Sequence, residues 1–323
     1  MDSTKWKKLM DYHHLQQMLA QGVSKAEIAR KLGMSRKTLY KWLSRPESGF
    51  VDWVEDSVHR RRKLSVYEDF LLTRLAQCPE ARPALLLDWL KEAHPDLPAL
   101  NRKTFYNYID YLRRHHHLPV PAVNSRQYLC VETLEYGYQA QVDFGECTLS
   151  KAGGGGQKVH FFVMSLSRSG YLYVHFQTNP FDAYAVVQCH EAAFGFFGGI
   201  PQQLVYDQDR RMIRQENLGE ILYTQVFHQY LLSRSFAIYL CRKDDPESKG
   251  KVERLVGYVK GNFLAHRLFE GLDALRDQCR AWLARTANVR QHGSTQKQVN
   301  EEFEIEKAHL TPYHPLALEL PEP

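Results

Sequence analysis

The sequence predicts a multidomain molecule in which all-α helix-turn-helix domains come first and an α/β domain follows. Three observations carry this. Basic residues crowd the first third: positions 1–125 hold 21 Lys+Arg against 14 Asp+Glu, and the remainder holds 21 against 23. Apolar stripes at helical spacing, opened by Ser, Pro or Asn, recur as far as residue 118. Beyond the proline-bearing joint "LPVPAVNS" (118–125), the texture changes to β-rich runs punctuated by glycine.

The first helical pair lies in "GVSKAEIARKLGMSRKTLYKWLSRPESG". Ser24 and Glu27 have the spacing of a capping box, Ile28 and Leu32 give an apolar stripe, and Gly33 ends the helix. Ser35 caps a second helix over 36–43, with Leu39 and Leu43 inward and Arg36, Lys37, Tyr40 and Lys41 outward. A short turn between two such helices is helix-turn-helix spacing, and the outward set is suited to a DNA groove. The run Arg60, Arg61, Arg62, Lys63 follows in a linker, where it is a candidate phosphate or minor-groove contact.

The segment 65–118 repeats the pattern with different letters: "VYEDFLLTRLAQCP", "RPALLLDWLKEAHP" opened by Pro83, and "LNRKTFYNYIDYLRRHH" capped by Asn101. Arg102, Lys103, Tyr106 and Asn107 then occupy the outward start of a second recognition-like helix. The same three stripes also suit a plain helical bundle. Three consecutive histidines, His115 to His117, point in different directions on a helix end and make a poor metal set.

The second part reads as three strands ("YGYQAQVDFGECTL", then "KVHFFVMSLSRSGYLYVHF" broken at Ser169-Gly170), and then a helix from Asp182. A short buried strand "QQLVYD", the helix "TQVFHQYLLSRS", the strand "FAIYLC", and a turn with a further helix complete it. That β-β-β-α-β-α-β-α order is the order of a ribonuclease H-like layer. The expected boundaries are 1–48 and 65–118 for the two helical domains, 49–64 and 119–130 for linkers, 131–290 for the layer, and 291–323 for an extension.

Composition excludes several classes. With 44% hydrophobic and 24% charged residues the chain is globular, and no apolar run approaches the roughly 18 residues of a membrane span. The polar start lacks a signal core, so the expected compartment is the cytoplasm. Six scattered cysteines without a C-x-x-C pair argue against a zinc cluster or a disulfide framework.

Three acids stand where strands and helices meet: Asp143 within the first strand, Asp207 at the end of the fourth, and Glu253 opening the helix after the fifth. Clustered carboxylates repel unless cations neutralise them, and oxygen-only ligands favour Mg²⁺ or Mn²⁺. Two such ions would serve an in-line phosphoryl displacement. Lys251 and Lys260 flank Glu253 and would hold a phosphodiester.

"QVDFGE" (141–146), "LVYDQDR" (204–210) and "DPESKGKVERLVGYVKGNF" (245–263) together resemble the D, D and E motifs of retroviral-integrase-like transposases, and specifically the IstA-type family of bacterial insertion-sequence transposases. The third motif, through P-x-x-K-G-x-V-E, is the most specific. The resemblance implies that Asp143, Asp207 and Glu253 are the catalytic, metal-holding triad; Glu146, Asp209, Asp244 and Asp245 are nearby accessory acids that the match does not require. It further implies a transposase that binds the terminal inverted repeats of double-stranded DNA, cleaves 3′ ends and transfers them into target DNA. An IstB-like AAA+ ATPase helper, a homodimer or higher oligomer on paired ends, and a nucleoid-associated bacterial location come with it. The family usually continues into a small β-rich domain, and the tail "LTPYHPLALELPEP" resembles a linker into one. Two alternatives remain: a DNA-binding regulator whose ribonuclease H-like domain serves only assembly, and a ribonuclease H acting on hybrids, which tandem helix-turn-helix units fit poorly.

Overall fold

The computed structural model describes residues 3–46, 49–51, 53–54, 63–120, 134–206, 213–217, 220–240, 255–292 and 296–316. The chain divides into two compact units, 1–69 and 70–323.

The first unit is helical. α1 (Ser3–Ala20) precedes α2 (Lys25–Lys31) and α3 (Arg36–Leu43). The caps form as the sequence implies: the Ser24 hydroxyl accepts from the Glu27 N–H at 3.3 Å and Ser35 from Thr38 at 3.1 Å. Gly33 ends α2 at φ +62°, a conformation that favours glycine. Inward residues depart from expectation in one place. Trp42 is buried beside Leu39, and Leu43 is only half-buried. The reason is α1, which the sequence reading did not identify: its Tyr12 stacks on Phe50, and Trp42 meets Phe50 edge-on at 5.2 Å.

The second unit opens with a helical bundle, α4 (Glu68–Gln77), α5 (Pro83–Ala93) and α6 (Arg102–His115). Leu71, Leu75, Leu86, Leu90, Phe105, Ile109 and Leu112 are fully buried. The buried Arg113 guanidinium donates to the carbonyls of Pro79 and Ala81 at 2.7 and 2.8 Å, and also to that of Pro119, tying the end of α6 to the α4–α5 turn.

The sheet follows. β1 (Gln139–Ser150), β2 (Gly156–Leu166) and β3 (Leu172–Gln177) form an antiparallel meander. β5 (Gln203–Tyr206) and β8 (Ala237–Leu240) add in parallel on the other side of β1, giving the order β3-β2-β1-β5-β8. Crossover helices α7 (Ala183–Phe197) and α8 (Gln225–Leu232) precede the two parallel strands. This is the mixed, helix-covered ribonuclease H-like layer that the element order implies. Small pairings that the sequence reading did not include also occur: β4 (Gly199–Ile200) with β9 (Thr311–Pro312), and a hairpin of β6 (Ile213–Asn217) with β7 (Glu220–Tyr223).

The sheet is packed on both faces, which explains the uninterrupted burial of Val159–Leu166 in β2. On one face Val142, Phe162, Met164 and Tyr206 meet α7 and α8 residues such as Val186, Phe194 and Phe227. On the other, Val159, Phe161 and Val163 meet Val259 and Phe263 of the helical segment 255–264, and Leu275, Cys279 and Trp282 of α9 (Leu272–Trp282). α10 (Val299–Lys307) stitches the carboxyl-terminal part to the sheet: the buried Glu306 carboxylate accepts from the N–H groups of Gly137 and Ser169 at 3.2 and 2.8 Å.

Candidate functional site

Alternation along β1 decides which way each residue of "QVDFGE" faces. Val142 and Phe144 belong to the α7 face, where Phe144 meets Phe162 and Phe181. Asp143 pairs across the sheet with Val163 and so shares the opposite face, the one that the 255–264 segment covers. It is half-buried, and its carboxylate accepts from the Phe144 N–H at 2.7 Å. Gly145 follows on the same face. The Phe161 ring lies so close over it that a Cβ there would stand 2.2 Å from the ring. The glycine of the motif is thus a packing requirement beside the acid.

β5 runs parallel to β1 in the register Val142↔Tyr206, the last pair between them. Asp143 follows one member of that pair, and in sequence Asp207 follows the other. The end of β5 is held from the α7 side. The fully buried His190 accepts the Tyr206 hydroxyl proton at Nε2, and its Nδ1–H donates to the Val186 carbonyl at 2.6 Å. Accepting at Nε2 requires the neutral ring, and burial pushes the His190 pKa down to about 4.

Glu146, two residues beyond the α7-packed Phe144, points to Lys158 at 2.9 Å. That hydrogen bond holds its carboxyl below the usual range, with His160 and Lys260 adding their charge. Lys260 is exposed and close enough to Glu146 and Cys147 to act on both. Asp207, Glu253, Lys251, and the Arg60, Arg61 and Arg62 run lie outside the described residues, as do Asp209, Asp244 and Asp245. Among the described residues no group of three or more His, Cys, Asp or Glu is arranged to hold a metal.

The helical regions present the expected cations. On α3, Arg36, Lys37, Tyr40 and Lys41 are all exposed. Lys25 sits over the Tyr40 ring at 5.2 Å. Sequence reasoning missed a second cluster in this unit: Lys8, Lys41 and Arg45 surround the Trp53 ring at 5.9, 5.9 and 4.5 Å. Only folding brings Lys8 to Lys41, so no local signal announces it. On α6, Arg102 and Lys103 are exposed, and Arg102 Nε donates to the Tyr106 hydroxyl at 2.8 Å with its guanidinium over the ring. This pairing preorganises the fork at the helix start. The Asn101 side chain caps the Lys103 N–H at 2.9 Å.

A family model described as a homeodomain-like domain matches residues 13–54, the α1–α3 unit with its outward α3. Across nearly the whole length the chain is similar to insertion-sequence transposases. More particularly it resembles the IS21-like group, the IstA type that the motifs suggest. The transposase for an IS21-like element of Bacteroides fragilis is 38% identical over 96% of this chain and 60% of its own length. The IS21 transposase of Pseudomonas aeruginosa is 27% identical over 94% of this chain and 73% of its own. The chain thus spans about three fifths of the Bacteroides relative. Among solved structures, an HTLV-2 integrase catalytic core domain in complex with magnesium aligns over 53% of this chain and 99% of that one, at 15% identity and a TM-score of 0.38. A simian T-cell lymphotropic virus intasome aligns over 75% of this chain and 78% of that one, at 16% identity and a TM-score of 0.40.

Proposed function

We propose that the chain is a DDE-type DNA transposase that cleaves at the ends of an insertion sequence and joins the freed 3′ ends to target DNA. The observation that carries this reading is the register of β1 and β5: Asp143 follows Val142 within β1, and in sequence Asp207 follows Tyr206, the last residue of β5 and the partner of Val142. Glu253 is the proposed third acid, because in sequence it stands two residues before the helical segment 255–264, which covers the Asp143 face of the sheet. A donor set of carboxylate oxygens fits a hard divalent cation, and Asp143, Asp207 and Glu253 would hold two Mg²⁺ or Mn²⁺ ions. When bound, such ions stabilise the attacking and leaving oxygens of an in-line displacement at phosphorus.

The chain's own groups supply position. Arg36, Lys37, Tyr40 and Lys41 of α3, with Arg60, Arg61 and Arg62, would engage the terminal repeat, and Arg102, Lys103 and Tyr106 of α6 a further stretch of it. Lys251 and Lys260 would hold phosphates beside the acids, by charge and without reading sequence. An AAA+ ATPase helper of the IstB type, and an oligomer on paired DNA ends, complete the proposed machinery.

The test is strand joining with Mg²⁺ or Mn²⁺ on fragmented DNA from the source genome, comparing the unmodified chain with Asp207→Asn and sequencing bound and joined products. A recurring terminal repeat joined to varied targets by the unmodified chain alone is the expected result, with Asp207→Asn still binding that repeat. Loss of binding and joining to the same degree in Asp207→Asn would remove the residue from the chemistry.

A further inference from the structure

The α4–α6 bundle is clamped to the catalytic layer through a buried charge. Asp88 on α5, 2% exposed, accepts a bidentate pair from Arg285 at 3.0 and 3.1 Å and a further hydrogen bond from the Thr286 hydroxyl. Arg285 and Thr286 lie in the wide π-helical turn Leu283–Ala287 that extends α9. Around this clamp, Glu92 pairs with Arg267 at 3.3 Å and with Arg285 at 3.7 Å, and Trp89 meets His266 edge-on. α5 also packs directly on Lys260–Leu264, the end of the helical segment 255–264. A bidentate Arg–carboxylate pair with a third donor fixes direction as well as distance. The exposed start of α6 is therefore held beside that segment: Tyr258 is half-buried, and Arg290, Asp88 and Arg102 all act on its phenol.

We propose that the bundle is a fixed arm of the catalytic body, and that one DNA duplex lies in cis across the exposed start of α6 (Arg102, Lys103, Asn107) and Lys260 of the same chain. This deepens the reading given above and rests on it for the identity of the DNA. Its physical basis is charge and rigidity together. Exposed cations sit on both elements, a duplex offers phosphates at regular spacing, and the Asp88 clamp leaves the two elements no freedom to bind separate duplexes at variable distance. The base pairs met by α6 then stand at a constant separation from the phosphate nearest the acids.

A photo-crosslinking amino acid in place of both Asn107 and Lys260, in the full chain, tests this on a pool of random-sequence duplexes. The doubly substituted chain is diluted into a large excess of unmodified chain, so that any duplex crosslinked twice has met both positions of one molecule. Expected are doubly crosslinked duplexes that persist on dilution, with a constant separation between the two marks, and a scattered separation in Asp88→Ala. Double marks that vanish on dilution would show binding in trans and overturn the proposal, as would single marks only or a scattered separation in the protein with Asp88 intact. The result is independent of strand joining: a chain that crosslinks as expected but never joins DNA would overturn the transposase reading and leave the fixed arm standing.

Discussion

A Cβ built on Gly145 falls 2.2 Å from the Phe161 ring, so Gly145→Ala must displace a fully buried aromatic next to Asp143. Overpacking of this kind costs about 1–3 kcal/mol, and a lowered urea midpoint is expected. An unchanged midpoint would mean that Phe161 swings aside freely. His190 carries a second residue-scale prediction. Burial lowers its pKa to about 4, below the ordinary value of 6.5, so between those values the unfolded chain binds the extra proton and stability falls as pH falls. The stabilisation is complete above pH 6.5 and lost by about pH 4. His175, also lowered to about 4 by burial with Arg276 beside it, adds to the same window. Thermal melts of His190→Gln across this range should show a shallower decline than the unmodified chain. Identical slopes would remove His190 as a cause.

Helix caps set the expectations at the scale of elements. Ser35 and Asn101 each open a helix whose first exposed residues are cations, and each side chain satisfies one backbone N–H. Ser35→Ala and Asn101→Ala should each cost about 1 kcal/mol and loosen the presentation of Arg36–Lys37 and Arg102–Lys103 without removing a charge. The check is DNA affinity against salt: a weaker constant with an unchanged salt slope is expected, whereas a shallower slope would point to lost phosphate contacts. These helices were legible because their caps, stripes and stops are local. α1 was missed because its buried residues, Tyr12 and Leu15, find their partners in distant positions such as Leu39, Trp42 and Phe50. The β6–β7 hairpin was missed because its run, "IRQENLGEILY", carries as many polar as apolar letters and no clean alternation.

For the molecule as a whole, the Asp88 clamp predicts that bundle and layer unfold together. Trp89 lies in the bundle and Trp282 at the layer, so single-tryptophan variants report on each separately. Coincident urea transitions are expected for the unmodified contacts. Asp88→Ala, which strands Arg285 without its buried partner, should cost about 3–5 kcal/mol and split the two signals. An early Trp89 transition with Asp88 intact would instead describe a hinged bundle.

The amino-acid sequence alone determined the order of the main helices and of the five sheet strands, the helix caps and the basic starts of α3 and α6. All of these are written in spacing and local chemistry within a few residues. Tertiary structure decided what spacing cannot reach. Residues some 200 positions apart meet at Asp88 and Arg285, the β1–β5 register sets Asp143 beside the end of a strand 60 residues away, and Phe161 closes over Gly145. Each depends on how two elements pack, and packing is a property of surfaces that no single stretch of sequence contains.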